Sequence, residues 1–225
     1  MKISLLVFFV SLTGLVNAQS NIQYVNVFIG TEGTGHTFPG PSMPFGMVQP
    51  GPDNREQGWN YTSGYQYNDS IILGFSQTRF SGTGINEMGD VLLLPFSENA
   101  DEILKNSYFK DSELASVGYY SIMKKDGVKV ELSCSERVAY HRYTFPSQVA
   151  NVLINFQHGL RFLTDSLVLN SEVKMEDNQT ISGYCHTKNW VERKYYFVVK
   201  FDQPFIHAEE LPRARKEKAS KYQLK

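Results

Sequence analysis

Pro39, Pro41, Pro44, Pro50 and Pro52 crowd one short stretch of this chain and forbid a long helix across it. The surrounding segment, Tyr24 to Gly89, is dense in Gly, Ser and Thr with aromatics interleaved. It reads as ordered loops with short strands, such as Met47 to Gln49 and Ile71 to Phe75, between them. After Asp90 the pattern changes to short strands at regular intervals. Val91 to Leu94 is a continuous apolar run that stops at Pro95, as a buried strand would. Tyr119 to Met123 and Val128 to Ser133 flank Lys124-Lys125-Asp126-Gly127, where Asp-Gly predicts a hairpin. Val128, Val130 and Leu132 alternate with Lys129 and Glu131, which gives that strand one wet face. Arg137 to Phe145, Asn151 to Phe156, Ser166 to Leu169, Thr180 to Tyr184 and Lys194 to Phe201 complete the series. No segment carries the sustained apolar stripe of a core helix. The expected fold is all-β: an antiparallel β-sandwich with long Gly/Pro-rich loops at its N-terminal end.

Composition agrees with that class. The 225 residues suit one domain, and 41% hydrophobic content is enough for a real core. Aromatics reach 13%, a surplus that favours pleated strands. A formal net charge of -1 gives no reason to expect nucleic acid or an anionic membrane as partner.

The ends read differently from the middle. Lys2, the apolar run Leu5 to Val10 and the small-residue site Val16-Asn17-Ala18 form a signal peptide over residues 1–18, cleaved after Ala18. Export to the periplasm or cell surface of a Gram-negative bacterium is expected, with no membrane contact after cleavage. The sandwich is then expected over residues 19–207. From Ala208 to Lys225 the chain is charged and poor in large apolar residues, and disorder is expected there. Cys134 and Cys185 lack the short spacing of a zinc site, and sequence leaves open whether they pair.

Two glycine-rich segments invite a test for nucleotide binding. Gly30 to Gly40 has no G-K-[ST] ending, and its prolines exclude the helix whose N-terminus would hold phosphate. Ser81 to Asp90 leads into a strand, which removes the dinucleotide context. What these loops do carry is His36, Arg79, Glu87 and Asp90, with Arg55, Trp59, Tyr61 and Tyr65 between them. Aromatic faces beside Arg, Gln and Asp suit a neutral sugar, whose C–H face stacks while its hydroxyls find polar partners. Taken singly, each residue also fits plain loop packing. Asp53, Glu56, Asp69, Glu87 and Asp90 offer carboxylates, but no spacing marks a catalytic pair. His141, His158, His186 and His207 are scattered, and no H-E-x-x-H exists. No catalytic or metal-ligating set follows from the residues themselves.

The same loops carry a family resemblance. Val25-Asn26-Val27-Phe28-Ile29-Gly30-Thr31, then Gly35-His36-Thr37-Phe38-Pro39-Gly40 and Pro44-Phe45-Gly46-Met47-Val48-Gln49-Pro50, resemble the opening of family 92 glycoside hydrolases. Gly58-Trp59, Ser63-Gly64-Tyr65-Gln66-Tyr67, Gly74-Phe75-Ser76, Ser81-Gly82-Thr83-Gly84, Gly89-Asp90-Val91-Leu92-Leu93-Leu94-Pro95 and Phe201-Asp202-Gln203-Pro204-Phe205 follow in the family's order. The resemblance implies an N-terminal sandwich that packs on an (α/α)₆ catalytic barrel in an inverting, calcium-dependent exo-α-mannosidase acting on α-mannoside glycans. It implies acid, base and calcium sites in the barrel, so calcium is not expected to bind this chain alone. Sugar contacts are assigned to Trp59, His36, Arg55 and Arg79. Family members often have histidines where this chain has Gln77 and Arg79, which puts any imidazole role there in doubt. The expectation is an exported mannosidase's N-terminal part, inactive by itself. The alternative is a non-catalytic carbohydrate-binding or structural sandwich.

Overall fold

The computed structural model describes residues 21–54, 58–98, 100–101, 105–160, 168–211 and 221–224. Among them, thirteen strands run β1 Gly51–Asp53, β2 Gly74–Ser76, β3 Leu92–Ser97, β4 Leu114–Ser116, β5 Tyr119–Met123, β6 Lys129–Cys134 and β7 Ala139–Thr144. The series continues with β8 Ala150–Asn155, β9 Val168–Met175, β10 Thr180–Lys188, β11 Glu192–Lys200, β12 Ala208–Leu211 and β13 Lys221–Leu224. They form a six-stranded sheet, β1-β2-β3-β8-β13-β12, a four-stranded sheet, β4-β5-β6-β7, and a three-stranded sheet, β11-β10-β9. Every strand pairing is antiparallel. The all-β sandwich expected from the turn spacing is the fold.

Register locates the core. Phe75 stands opposite Leu93, and Leu93 opposite Ile154, so all three project from one face of the six-stranded sheet. Phe75 packs with Ile72, Tyr108, Tyr120, Ile122, Val130 and Leu132, which covers it with β5 and β6. Leu93 and Ile154 pack with Val152, Phe156, Val168, Ile181 and Cys185, which covers them with β9 and β10. Tyr143 on β7 and Phe145 just beyond it touch both clusters. The two smaller sheets therefore lie side by side over the large one, joined by these two rings. The Asp126-Gly127 turn connects β5 to β6 as predicted. Its buried Lys124 ammonium bonds Asp126 at 3.0 Å and the Pro95 carbonyl, which ties the hairpin to β3.

Three details differ from the sequence reading. The early strand lies at Gly51–Asp53, not Met47 to Gln49, because it occupies the sheet edge, where Pro52 removes no needed donor. Strand β3 runs through Pro95 for a related reason: its pairing with β2 is at Leu93, and at Pro95 it pairs with β8. The charged stretch beyond 207 is not structureless. It supplies β12 and β13, and β13 runs between β8 and β12 and satisfies the backbone along one side of β8. Lys221-Tyr222-Gln223-Leu224 has the alternation of a strand, masked in sequence by the surrounding charge. The proposed signal peptide, residues 1–18, lies outside the described residues. Both cysteines are free thiols. Burial pushes Cys185 up to about 11.

His141 joins the small four-stranded sheet to the loop after β2. The Gln77 amide donates to the Phe75 and Val91 carbonyls at 2.8 and 3.1 Å, which leaves its oxygen to accept from His141 Nε2 at 2.9 Å. The other ring nitrogen, Nδ1, then accepts from the Tyr143 hydroxyl at 2.7 Å. Burial pushes this imidazole down to about 4 from 6.5. Between those values the unfolded chain binds a proton that the folded chain refuses, so stability falls as pH drops from 6.5 and levels off below 4. In urea unfolding across that window, H141Q is expected to lose about 2–3 kcal/mol less than the unaltered chain on acidification. Parallel curves for the two proteins would assign the acid loss elsewhere.

Candidate functional site

The glycine-rich segment Gly30–Gly40 folds back on itself. Thr37 N–H donates to the Gly30 carbonyl at 3.2 Å, and Gly35 approaches that carbonyl so closely that a Cβ would sit 2.1 Å away. Gln66 clamps the tip from outside, accepting from Gly33 N–H and donating to Gly33 O, both at 2.9 Å. Ser63 donates to the Thr37 carbonyl at 2.9 Å, and Gly82 N–H donates to the His36 carbonyl at 2.5 Å. These bonds hold His36 at φ +56°, a left-handed conformation that a non-glycine residue adopts at a cost.

His36 is 6% exposed and meets the edge of Trp59, ring centroids 4.7 Å apart at 88°. Trp59 opens a short 3-10 turn, Trp59–Tyr61, and leaves 51% of its surface to solvent. Beneath both rings lies Gly84. A Cβ there would stand 2.9 Å from the indole and 3.0 Å from His36 Nδ1, on a backbone at φ +68°. Glycine is thus required on two counts, space and conformation. The result is an indole propped with one part free, beside a buried imidazole whose Nε2 has no hydrogen-bond partner. Such a surface can stack the apolar face of a sugar ring.

Of the remaining sequence candidates, Arg55 and Glu56 lie outside the described residues. Arg79 does not reach the surface. Its guanidinium is buried, with Nη1 3.1 Å from Asp53 and donating at 2.7 Å to the Ser63 carbonyl. Nη2 donates to Gly51 O at 2.8 Å and Ser76 Oγ at 3.0 Å, and Nε donates to Gln49 O at 3.0 Å. The Phe38 ring covers the plane at 4.4 Å. Every donor nitrogen is engaged by protein, so Arg79 is a strut under the site and not a sugar contact. Tyr65 is likewise in the core, its hydroxyl donating to Glu113 at 2.8 Å.

Sequence reasoning missed two long-range clamps. His158 Nε2 bonds the buried Asp53 carboxylate at 2.7 Å. Burial alone raises a carboxyl, but Arg79 and His158 outweigh it and hold Asp53 below its ordinary value. Farther along, Arg193 on β11 grips Asp90 through two bonds of 2.7 and 2.9 Å. Glu87 accepts from Trp190 N–H at 3.1 Å, and Asn189 donates to the Asn86 carbonyl. Both clamps join residues more than a hundred positions apart, and no local pattern announces such pairs. Asp53, Glu87 and Asp90 are therefore occupied by cationic or N–H partners. Among the described residues no group of three or more His, Cys, Asp or Glu is placed to hold a metal.

An all-β sandwich with an aromatic platform on glycine-rich loops is the class of domain these features define. Residues 24–224 match the glycosyl hydrolase family 92 N-terminal domain, and the chain belongs to that family. It is similar to a family GH92 α-mannosidase from Bacteroides thetaiotaomicron solved with mannoimidazole, at 30% identity and a TM-score of 0.78, over 90% of this chain and 30% of that one. A GH92 inverting mannosidase from the same organism shares the fold at 23% identity and a TM-score of 0.73, over 90% of this chain and 29% of that one. An uncharacterized secreted glycosidase of Arthroderma benhamiae is 33% identical over 135 residues, 56% of this chain and 17% of the relative. The chain spans less than a third of the length of each.

Replacing the strut separates support from contact. R79M leaves the Asp53 carboxylate buried without its cation and is expected to cost about 3–5 kcal/mol in urea unfolding. Wild-type stability together with lost sugar affinity would instead make Arg79 a direct contact.

Proposed function

We propose that this chain is the N-terminal sandwich of an exported, calcium-dependent exo-α-mannosidase, to which it lends sugar-contacting loops, and that it hydrolyses nothing by itself. The observation that carries the reading is the half-exposed Trp59 propped by His36 and Gly84, in a chain similar to an α-mannosidase solved with mannoimidazole. Membership of the family supports mannosides as the glycan class. The apolar leader and the secreted relative support export, with the periplasm or cell surface as destination.

The chemistry assigned to this chain is binding and orientation. Trp59 stacks the ring of a terminal mannoside, and His36 fixes the indole edge-on. Inversion requires an acid and a base carboxyl roughly 6.5–9.5 Å apart with a water between them. Asp53 and Asp90 are bonded to cations, and Glu113 takes Tyr65, Tyr120 and Lys110, so none is free to exchange a proton with a glycoside. In this reading the acid, the base and the calcium belong to a helical barrel outside these residues. Without general acid and base, each typically worth about 10²–10⁴-fold, sugar contacts alone cannot restore the rate.

Purified Gln19 to Lys225 is expected to release no mannose from an α-mannobiose, with or without calcium, while still binding mannose. W59A is expected to weaken that binding roughly tenfold by calorimetry. Calcium-dependent release of mannose that disappears in D90N would overturn the assignment of catalysis to a separate barrel.

A further inference from the structure

We infer that Trp190 forms a second sugar platform, placed to take a glycan residue beyond the one stacked on Trp59. The inference rests on the Trp59 reading and extends it to ligand length. Trp190 sits in the three-residue tip Asn189-Trp190-Val191 that joins β10 to β11, and 72% of it is exposed.

The tip is not a loose end. Asn189 donates to the Asn86 carbonyl, Trp190 N–H donates to Glu87, and Arg193 at the base of β11 is held bidentately by Asp90. Glu87 and Asp90 are both buried. One buried carboxylate thus fixes the backbone N–H of the exposed indole's residue, and a second holds the Arg193 side chain beside it. Restraint of this kind lowers the ordering cost when a ligand stacks on a side chain.

The two indoles share a support. Gly84 underlies Trp59, and Glu87 holds the backbone of Trp190. Gly84 and Glu87 are three residues apart, so the two supports lie within about 11 Å of each other, the reach of a short oligosaccharide. Strain follows just beyond Glu87. Met88 and Val91 adopt φ of +68° and +51°, and for β-branched Val91 this is a true outlier. Both polar atoms of the buried Asn86 amide lack hydrogen-bond partners. Strain and unpaired polar groups of this sort gather at binding sites more than in plain connecting loops.

These are the two tryptophans of the chain, so each can be read alone by fluorescence. Titration of W190F with mannose reports Trp59, and titration of W59F with a linear α-mannotriose reports Trp190. Mannotriose is expected to shift both emissions, whereas mannose shifts that of Trp59 only. In calorimetry, W190A is expected to bind mannotriose roughly fivefold to tenfold more weakly, with mannose affinity unchanged. W190F is expected to recover most of the loss, because a phenyl ring still stacks. The failures are separable. Mannose that leaves W190F unperturbed sinks the Trp59 reading. Mannotriose that binds W190A as tightly as the unaltered chain overturns the role of Trp190, and no binding of either sugar by the unaltered chain overturns both.

Discussion

A guanidinium buried from solvent must find every partner in protein, and Arg79 does so by gathering the N-terminal loops around itself. Gln49, Gly51 and Pro52 give it carbonyls from β1 and its approach, Ser63 gives one from the loop after Trp59, and Ser76 on β2 gives its hydroxyl. Asp53 neutralises it and passes the connection on to His158, beyond β8. These loops have few large side chains to bury, so apolar packing alone cannot order them. A buried ion pair is an inefficient stabiliser compared with hydrocarbon, since desolvation cancels much of the attraction. Its usefulness here is geometric, because the fork of donors admits one arrangement of three backbone segments. Trp59 and His36 stand on that arrangement.

The second half of the chain is attached by the same kind of bond. The β9–β11 sheet packs on the large sheet through Val168, Ile181, Cys185 and Phe197. Hydrophobic contact of this type is non-directional and tolerates sliding. The bidentate Arg193–Asp90 pair and the Glu87–Trp190 bond remove that freedom at one end of the hairpin. Core apolar residues thus hold the layers together, and a few buried charges set their register relative to the loops.

Legibility from sequence followed the range of the interactions. The Asp126-Gly127 hairpin and the inward set Val128, Val130 and Leu132 are local, and both were readable because turn chemistry and a two-residue period act over neighbours. Glu131, expected on the wet face, is instead buried against Tyr119 and Arg142. The exposed placement of Trp59 beside His36 was readable from two motifs together. Arg79 was misjudged because an arginine in a glycine-rich loop looks the same whether its partners are hydroxyls of a ligand or carbonyls of the protein. The difference lies in Asp53 and His158, which sequence does not bring near it. Strands β12 and β13 were missed because net charge outweighed the short alternation at Tyr222 and Leu224. Their order comes from the hydrogen bonds along β8, a tertiary contact that no local propensity encodes.

Mobility is assigned by the same division of labour. An exposed ring on an immobile backbone sets two demands that conflict, because burial is what usually immobilises a side chain. At Trp59 the conflict is resolved by a glycine floor and an edge-on imidazole, which restrain the indole without covering its outer part. At Trp190 it is resolved through the main chain, whose N–H is fixed by a buried carboxylate while the ring stays outside. Polar groups do the holding in both cases because a hydrogen bond constrains direction at a single point. An apolar contact restrains only by covering surface, and the surface covered would be the exposed part of the ring.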